Sequence, residues 1–160
     1  MPALDVRPLP AMIFASLRHI GPYGEAGETF RKITDWAVSE GVMTPETQVL
    51  GLSYDDPKTT PAEILRYDAC VTLKTPIALP PGMQLMALPA CSWVMMTHKG
   101  PYETMGETFT KLYAALAEHP TLVPIATGAI EIYVNDPATT APADLITELG
   151  VAVLEGADGF

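Results

Sequence analysis

An internal repeat constrains the fold of this chain more than any other feature of its 160 residues. At an offset of 79, the segment HIGPYGEAGETFRK (19–32) aligns with HKGPYETMGETFTK (98–111), and 9 of these 14 positions are identical. Unrelated sequences would share about one such position. A second pair, YDDPKTTPAEIL from Tyr54 and YVNDPATTAPADLI from Tyr133, agrees more loosely. We therefore predict two copies of one folding unit, at residues 5–74 and 83–155.

Each copy has the hydrophobic pattern of a strand, an amphipathic helix and two further strands. The first helix is predicted over residues 22–40, with a proline at its start and Gly41 at its end, and the second begins at Pro101. Residues 6–18 alternate weakly and predict a strand around 12–15. The other strands are predicted at 48–54, 65–73, 92–98, 129–133 and 146–154, with a turn or hairpin in the proline-rich segment 75–89. The predicted fold class is α+β, with one curved antiparallel sheet, two long helices on one face and a ligand groove on the other. Residues 1–160 are expected to form a single domain.

Composition limits the classes of partner. The net charge of -10 argues against direct nucleic-acid binding, which needs clustered Lys and Arg. No signal peptide and no apolar run long enough for a membrane helix is visible, so we expect a cytoplasmic protein without membrane association. Cys70 and Cys91 are interpreted as free thiols.

Three motifs resemble a known family: the HxGPY turns at 19–23 and 98–102, the run from Tyr54 to Val71, and the EIYVNDP run from Glu131 to Pro137. Together they are similar to the GyrI-like small-molecule-binding family, which includes the effector-binding domains of AraC-type and multidrug-responsive regulators. The resemblance extends from Val6 to Leu154. It implies a ligand cleft between the two copies and an acidic residue on the strand before the Asn-Asp-Pro turn of the second copy. Glu131 occupies that position.

Glu131 is the first candidate ligand-binding residue. At the offset of 79 its counterpart is Leu52, so only one copy carries a carboxylate there. Alternation along a strand places Glu131 and Tyr133 on one face, opposite the two flanking isoleucines. If Ile130 and Ile132 pack under the helices, Glu131 and Tyr133 point into the groove.

The remaining candidates follow from the same alternation. Phe14 and Trp93 are counterparts, and their faces mix aromatic and polar residues, whereas the opposite faces are aliphatic and resemble helix-packing core. We therefore assign the mixed faces to the groove, with Met95 as an adaptable wall. Tyr54, taken as the counterpart of Tyr133, and Tyr67 complete the set of ligand-binding candidates. For each aromatic residue, ordinary core packing is the alternative.

No metal site, cofactor or catalytic residue is predicted. His19 and His98 are repeat copies that head the same turn, so they are interpreted as turn-stabilising residues. The favoured hypothesis is a stand-alone module that binds lipophilic, cationic small molecules, with Glu131 selecting the charge. A hydrolase of strained cyclopropane-type toxins that uses Glu131 is one alternative, and a protein-interaction module for DNA gyrase or a regulator is the other. The sequence predicts no oligomeric state.

Overall fold

The computed structural model describes residues 5–155, with the side chains of all of these except 126, 127 and 155. The chain divides into two compact units. The N-terminal unit consists of Ala11–Pro89, and the C-terminal unit consists of residues 90–155 together with residues 5–10. The α+β class with antiparallel strands is confirmed in each unit.

The N-terminal unit is a four-stranded antiparallel sheet with one α-helix. Its strand order is β3-β4-β2-β5. Its elements are β2 (Met12–Ile20), a 3₁₀ turn (Tyr23–Glu25), α1 (Gly27–Ser39), β3 (Val49–Ser53), a 3₁₀ turn (Ala62–Ile64), β4 (Arg66–Leu73) and β5 (Met83–Leu88).

The C-terminal unit repeats this arrangement with the strand order β1-β6-β8-β7. Its elements are β1 (Asp5–Leu9), β6 (Cys91–Lys99), a 3₁₀ turn (Tyr102–Thr104), α2 (Met105–Ala117), β7 (Leu122–Tyr133), a 3₁₀ turn (Pro142–Asp144) and β8 (Ile146–Glu155). Neither helix of the described chain is long and apolar enough to cross a membrane.

Two strands were not predicted, and they exchange between the copies. β1 is the first segment of the N-terminal copy in sequence but pairs with β6 of the second copy, and β5 is the first segment of the second copy but pairs with β2 of the first. Pro8 lies within β1, where a proline is tolerated because the strand pairs only through β6 in its unit. The sequence pattern is weak in both strands because each is an edge strand with a mixed burial pattern.

Each helix packs on its own sheet as the periodicity predicts. In the N-terminal unit, Ile33 and Ala37 of α1 form a core with Ala15, Ala69 and Val71. In the C-terminal unit, the buried core consists of Val94, Leu112, Leu116, Leu122, Ala129, Leu149, Val151 and Val153. The prediction that the aliphatic faces of β2 and β6 pack against the helices is confirmed.

The two HxGPY turns share one hydrogen-bonding scheme. The His19 Nε2 lies 2.9 Å from the Pro22 carbonyl oxygen, and the His98 Nε2 lies 3.0 Å from the Pro101 carbonyl oxygen. The intervening glycines have φ of +132° and +135°, a conformation that side chains other than glycine rarely adopt. The interpretation of both histidines as turn-stabilising residues is confirmed.

The Asp-Pro loops are also copies. The Asp55 Oδ2 accepts a hydrogen bond from the Arg66 backbone N at 2.9 Å, and the Asn135 Oδ1 accepts the equivalent bond from the Ile146 N at 2.9 Å. In addition, the Arg66 guanidinium donates to both Asp55 carboxylate oxygens at 3.0 and 2.9 Å. These bonds from the Arg66 side chain, and then the one from its backbone, lower the pKa of Asp55.

A pH dependence follows from this lowered pKa. The charge of Asp55 contributes stability above the unfolded-state value of about 3.9, and the contribution is lost as the pH falls through the lower folded-state pKa. Asp55→Asn keeps the backbone hydrogen bond, as Asn135 does, and removes the titration. We expect the melting temperature of the wild type to fall more steeply than that of Asp55→Asn below about pH 4. Asp35→Asn, on the exposed side of α1, is the control for the lost charge, and parallel acid limbs for wild type and Asp55→Asn would contradict the assignment.

Candidate functional site

Glu131 lies on the helix-packing face of the C-terminal sheet. It pairs with Leu149 in the β7–β8 register, and paired residues of antiparallel strands point to the same face. Leu149 belongs to the core under α2. Ile130 instead pairs with Gly150 and lies beside Met95 on the opposite face. The condition that the two isoleucines pack under the helices was therefore wrong, because the strand has the opposite orientation.

The Glu131 carboxylate is buried beside two tyrosines. Glu131 is only 6% exposed, and the Tyr133 hydroxyl donates a 2.6 Å hydrogen bond to its Oε2. The Tyr133 ring in turn meets the Tyr102 ring edge to face, with centroids 5.2 Å apart and planes at 72°. Burial raises the pKa of Tyr102, and the nearby carboxylates of Asp136 and Glu131 raise it further. Tyr102, which the sequence analysis did not include among the candidates, thus belongs to this cluster.

Thr147 adds a buried hydroxyl to the same face. It pairs with Tyr133 on β7 and with His98 on β6. The residue is 0% exposed, and its Oγ1 has no hydrogen-bond partner among the described residues. A buried hydroxyl without a partner is uncommon, because losing its hydrogen bonds to water costs free energy. No sequence signal distinguishes this threonine from an ordinary strand residue.

The strand registers correct the alignment of the two copies by one residue. Ser53 pairs with Tyr67 in the N-terminal unit, and Tyr133 pairs with Thr147 in the C-terminal unit. The backbone hydrogen bond from residue 54 to residue 66 likewise recurs from residue 134 to residue 146. These strands are therefore related by an offset of 80, whereas the HxGPY segments are related by 79.

The corrected alignment changes the counterparts of two candidates. Gly51, and not Leu52, corresponds to Glu131, and Tyr54 corresponds to Val134 instead of Tyr133. The contrast between a carboxylate in one copy and none in the other remains. The residue at the equivalent position of the first copy is a glycine, which has no side chain.

Tyr67 covers that glycine. A Cβ added at Gly51 would lie 1.8 Å from the Tyr67 hydroxyl oxygen. The Tyr67 ring is held by two other aromatic rings, with centroids 5.4 Å away at Tyr23 and 5.8 Å away at Phe30. Tyr67 therefore lies on the helix-packing face of the N-terminal unit, as Glu131 and Tyr133 do in the C-terminal unit.

Phe14, Trp93 and Met95 lie on the other faces of the two sheets. Trp93 and Met95 are each 2% exposed, and Phe14 is fully buried. In the C-terminal unit the sheet separates Trp93 and Met95 from Glu131. The expectation that these two residues line one groove with Glu131 is wrong for this reason, and their burial matches the core-packing alternative.

Tyr54 belongs to a polar cluster that the sequence analysis missed. Its hydroxyl donates to the Asp68 Oδ2 at 2.6 Å, and the Arg18 Nε donates to the Asp68 Oδ1 at 2.5 Å. Burial, and then the bond to Asp68, raise the pKa of Tyr54 well above its usual value. Asp68 is 1% exposed, and both of its carboxylate oxygens accept hydrogen bonds. The signal was a single carboxylate inside the apolar RYDACV run, a pattern typical of a buried ion pair.

The described residues contain no cluster of three His, Cys, Asp or Glu side chains that could hold a metal ion. An open hollow in the N-terminal unit, lined by Met12, Leu73, Lys74 and Leu88 among others, includes none of the candidates. The cluster of one carboxylate and two tyrosines, formed by Glu131, Tyr133 and Tyr102, is therefore the better candidate site, because it combines a buried carboxylate with aromatic faces.

Comparison with protein families identifies one match, and a curated relative is similar over most of the chain. The family model of the GyrI-like small molecule binding domain matches residues 3–154. Over 121 residues, the chain is 27% identical to the SPbeta prophage-derived putative transcriptional regulator YosT of Bacillus subtilis. The aligned region covers 72% of this chain and 78% of YosT.

Solved structures share the fold. The C-terminal domain of EcmrR has a TM-score of 0.82 at 18% identity and covers 96% of this chain and 98% of that domain. In the EcmrR–DNA complex the TM-score is 0.80 at 17% identity, and the match covers 94% of this chain but only 57% of the EcmrR chain. SAV2435 bound to tetraphenylphosphonium has a TM-score of 0.63 at 13% identity, with coverage of 96% and 94%.

Proposed function

Because the chain belongs to the family of GyrI-like small molecule binding domains, we propose that it binds lipophilic organic cations through the buried carboxylate of Glu131. Small-molecule binding is the property of the family. The cationic class rests on one observation, a 6% exposed carboxylate that receives a 2.6 Å hydrogen bond from Tyr133 in an aromatic setting.

The electrostatics of this cluster favour a delocalised cation. Burying a carboxylate costs free energy, and a positive charge placed beside it offsets part of that cost. A positive charge about 4 Å away, at an effective dielectric constant near 20, would be attracted by about 4 kcal/mol before desolvation. A large organic cation loses little hydration energy on entering, and each aromatic face adds about 0.5–2 kcal/mol of cation–π attraction. A small, strongly hydrated ion has neither advantage.

One neighbouring structure supports the same class of ligand. SAV2435, which shares the fold, was solved with tetraphenylphosphonium, a lipophilic cation. EcmrR carries this fold as its C-terminal domain and was solved on DNA. The net charge of -10 makes this chain itself a poor ligand for DNA. A transcription regulator is therefore the partner to which ligand binding by this chain would be coupled.

Isothermal titration calorimetry with tetraphenylphosphonium tests the proposal. We expect Glu131→Gln to weaken binding by at least about tenfold, equivalent to about 1.4 kcal/mol, because the amide keeps the shape but not the charge. Glu148→Gln removes the same charge from the other face of the same sheet and should leave the affinity within about twofold. The neutral triphenylphosphine oxide should bind the two forms alike. Equal losses for Glu131→Gln and Glu148→Gln would show that only net charge matters and would refute the role of Glu131.

A further inference from the structure

Tyr23 and Tyr102 are counterparts in the two HxGPY turns, but only Tyr23 is fixed by its hydroxyl. The Tyr23 hydroxyl donates to the Asp55 carbonyl oxygen at 2.7 Å and accepts from the Asp55 backbone N at 3.1 Å. Its ring also lies 5.4 Å from the Tyr67 ring. Rotation of the Tyr23 side chain would therefore break two hydrogen bonds and an aromatic contact.

The Tyr102 hydroxyl makes no hydrogen bond with any residue in the described part of the chain. Its ring contact is with Tyr133, and the residue is only partly buried. The backbone beneath it is nevertheless well held, since the Gly100 N donates to the Leu145 carbonyl at 2.8 Å and His98 lies within hydrogen-bond distance of the Pro101 carbonyl. The turn is fixed, whereas the side chain can rotate without losing a hydrogen bond.

Tyr102 is also next to the buried polar groups of the candidate site. Its ring lies against Tyr133, whose hydroxyl bonds to the Glu131 carboxylate. Thr147, with its unpartnered hydroxyl, pairs with Tyr133 in the sheet. Glu131 and Thr147 are both buried, so a ligand can reach them only if a side chain moves. Of the two tyrosines in the turns, Tyr102 is the one that can move at low cost.

We propose that the Tyr102 side chain is the gate that controls access of a ligand to Glu131 and then packs against the bound ligand. This inference rests on the proposed function for its ligand, but the gate itself does not depend on the ligand class. Tyr23 is the fixed counterpart in the other copy and supplies the matched control.

The first test measures association of tetraphenylphosphonium by stopped-flow fluorescence. Because a required side-chain movement slows association, we expect Tyr102→Ala to raise the association rate constant by about tenfold. The dissociation rate constant should rise as well, since the ring no longer packs on the ligand. Tyr102→Phe keeps the ring and should restore slow association. Tyr23→Phe should lower the melting temperature and leave the association rate unchanged. An unchanged rate in Tyr102→Ala would overturn the gate.

The second test needs no bound ligand. A cysteine introduced by Glu131→Cys is treated with a trimethylammonium methanethiosulfonate reagent, and the modification of residue 131 is followed by mass spectrometry. We expect adding Tyr102→Ala to accelerate this modification by about tenfold, and adding Tyr23→Ala to have no such effect. Equal rates in the three backgrounds would overturn the gate. If acceleration occurs but the wild type does not bind tetraphenylphosphonium, the gate stands and the proposed cation class fails.

Discussion

Gly51→Ala is expected to lower the free energy of unfolding by about 3 kcal/mol, the upper part of the range for overpacking a core. A Cβ at this position would lie 1.8 Å from the Tyr67 hydroxyl oxygen and 2.5 Å from its Cζ, and side chains do not approach so closely. The Tyr67 ring cannot simply rotate away, because Tyr23 and Phe30 pack against it. Either Tyr67 is expelled from its site or β3 and β4 separate locally. Urea denaturation measures the loss.

Gly150→Ala is the matched control for this prediction. A Cβ there would meet the Sδ of Met95 at 2.4 Å and the Cγ2 of Ile130 at 3.0 Å, but the methionine can adopt another rotamer and Ile130 has to shift only slightly. We expect a cost of about 1 kcal/mol for that variant. In a Tyr67→Leu background, which lacks the colliding atoms, Gly51→Ala should cost at least about 2 kcal/mol less than in the wild type. Additive effects of the two substitutions would mean that Tyr67 is not the obstacle.

The helices and turns of this fold could be predicted from the sequence because their signals are local. Apolar residues at helical spacing and a glycine after the end predict α1, but the helix begins at Gly27 and not at Pro22, because Tyr23–Glu25 form a separate 3₁₀ turn. Gly41 has the expected positive φ of 73°. β1 and β5 could not be predicted, because an edge strand that pairs with the other copy has partners far away in sequence and only a weak alternation of its own.

The site illustrates a different limit. Glu131 was selected because the family resemblance implies an acidic residue at this position and only one copy carries a carboxylate there. The structure places it in a buried aromatic cluster, and its ligand role stays a prediction. The face of the sheet predicted for Glu131 was wrong, because alternation along a strand identifies two faces but not which one meets a helix. The pairing of Glu131 with Leu149 decides that question, and pairing is a tertiary property.

The alignment offset had a similar consequence. An offset of 79 holds for the HxGPY segments, and one inserted residue changes it to 80 in the later strands. Since alternation has a period of two, a one-residue error exchanges the faces of the compared residues. Tyr54 was aligned with Tyr133 in this way, although Tyr54 lies with Asp68 on the face of its own sheet that is opposite the helix. Strand registers, and not identities alone, are needed to compare the copies.

The buried ion pair of the N-terminal unit gives the other large effect. Arg18→Met should lower the free energy of unfolding by about 3 kcal/mol, the low end for a broken buried pair, because the Arg18 side chain is 42% exposed. The loss arises because the Asp68 carboxylate, at 1% exposure, loses the guanidinium and retains only the Tyr54 hydroxyl of these two donors.

The same reasoning predicts rescue by a second substitution. Adding Asp68→Asn to Arg18→Met removes the buried charge and leaves an amide oxygen that can accept from Tyr54, so the double variant should be more stable than Arg18→Met alone, by about 1 kcal/mol. Arg31→Met breaks an exposed pair with Glu28 on α1 and should cost less than about 0.5 kcal/mol. Chemical denaturation of the four proteins measures these differences. If the double variant is less stable than Arg18→Met, the loss comes from packing of the Arg18 stem and not from an uncompensated carboxylate.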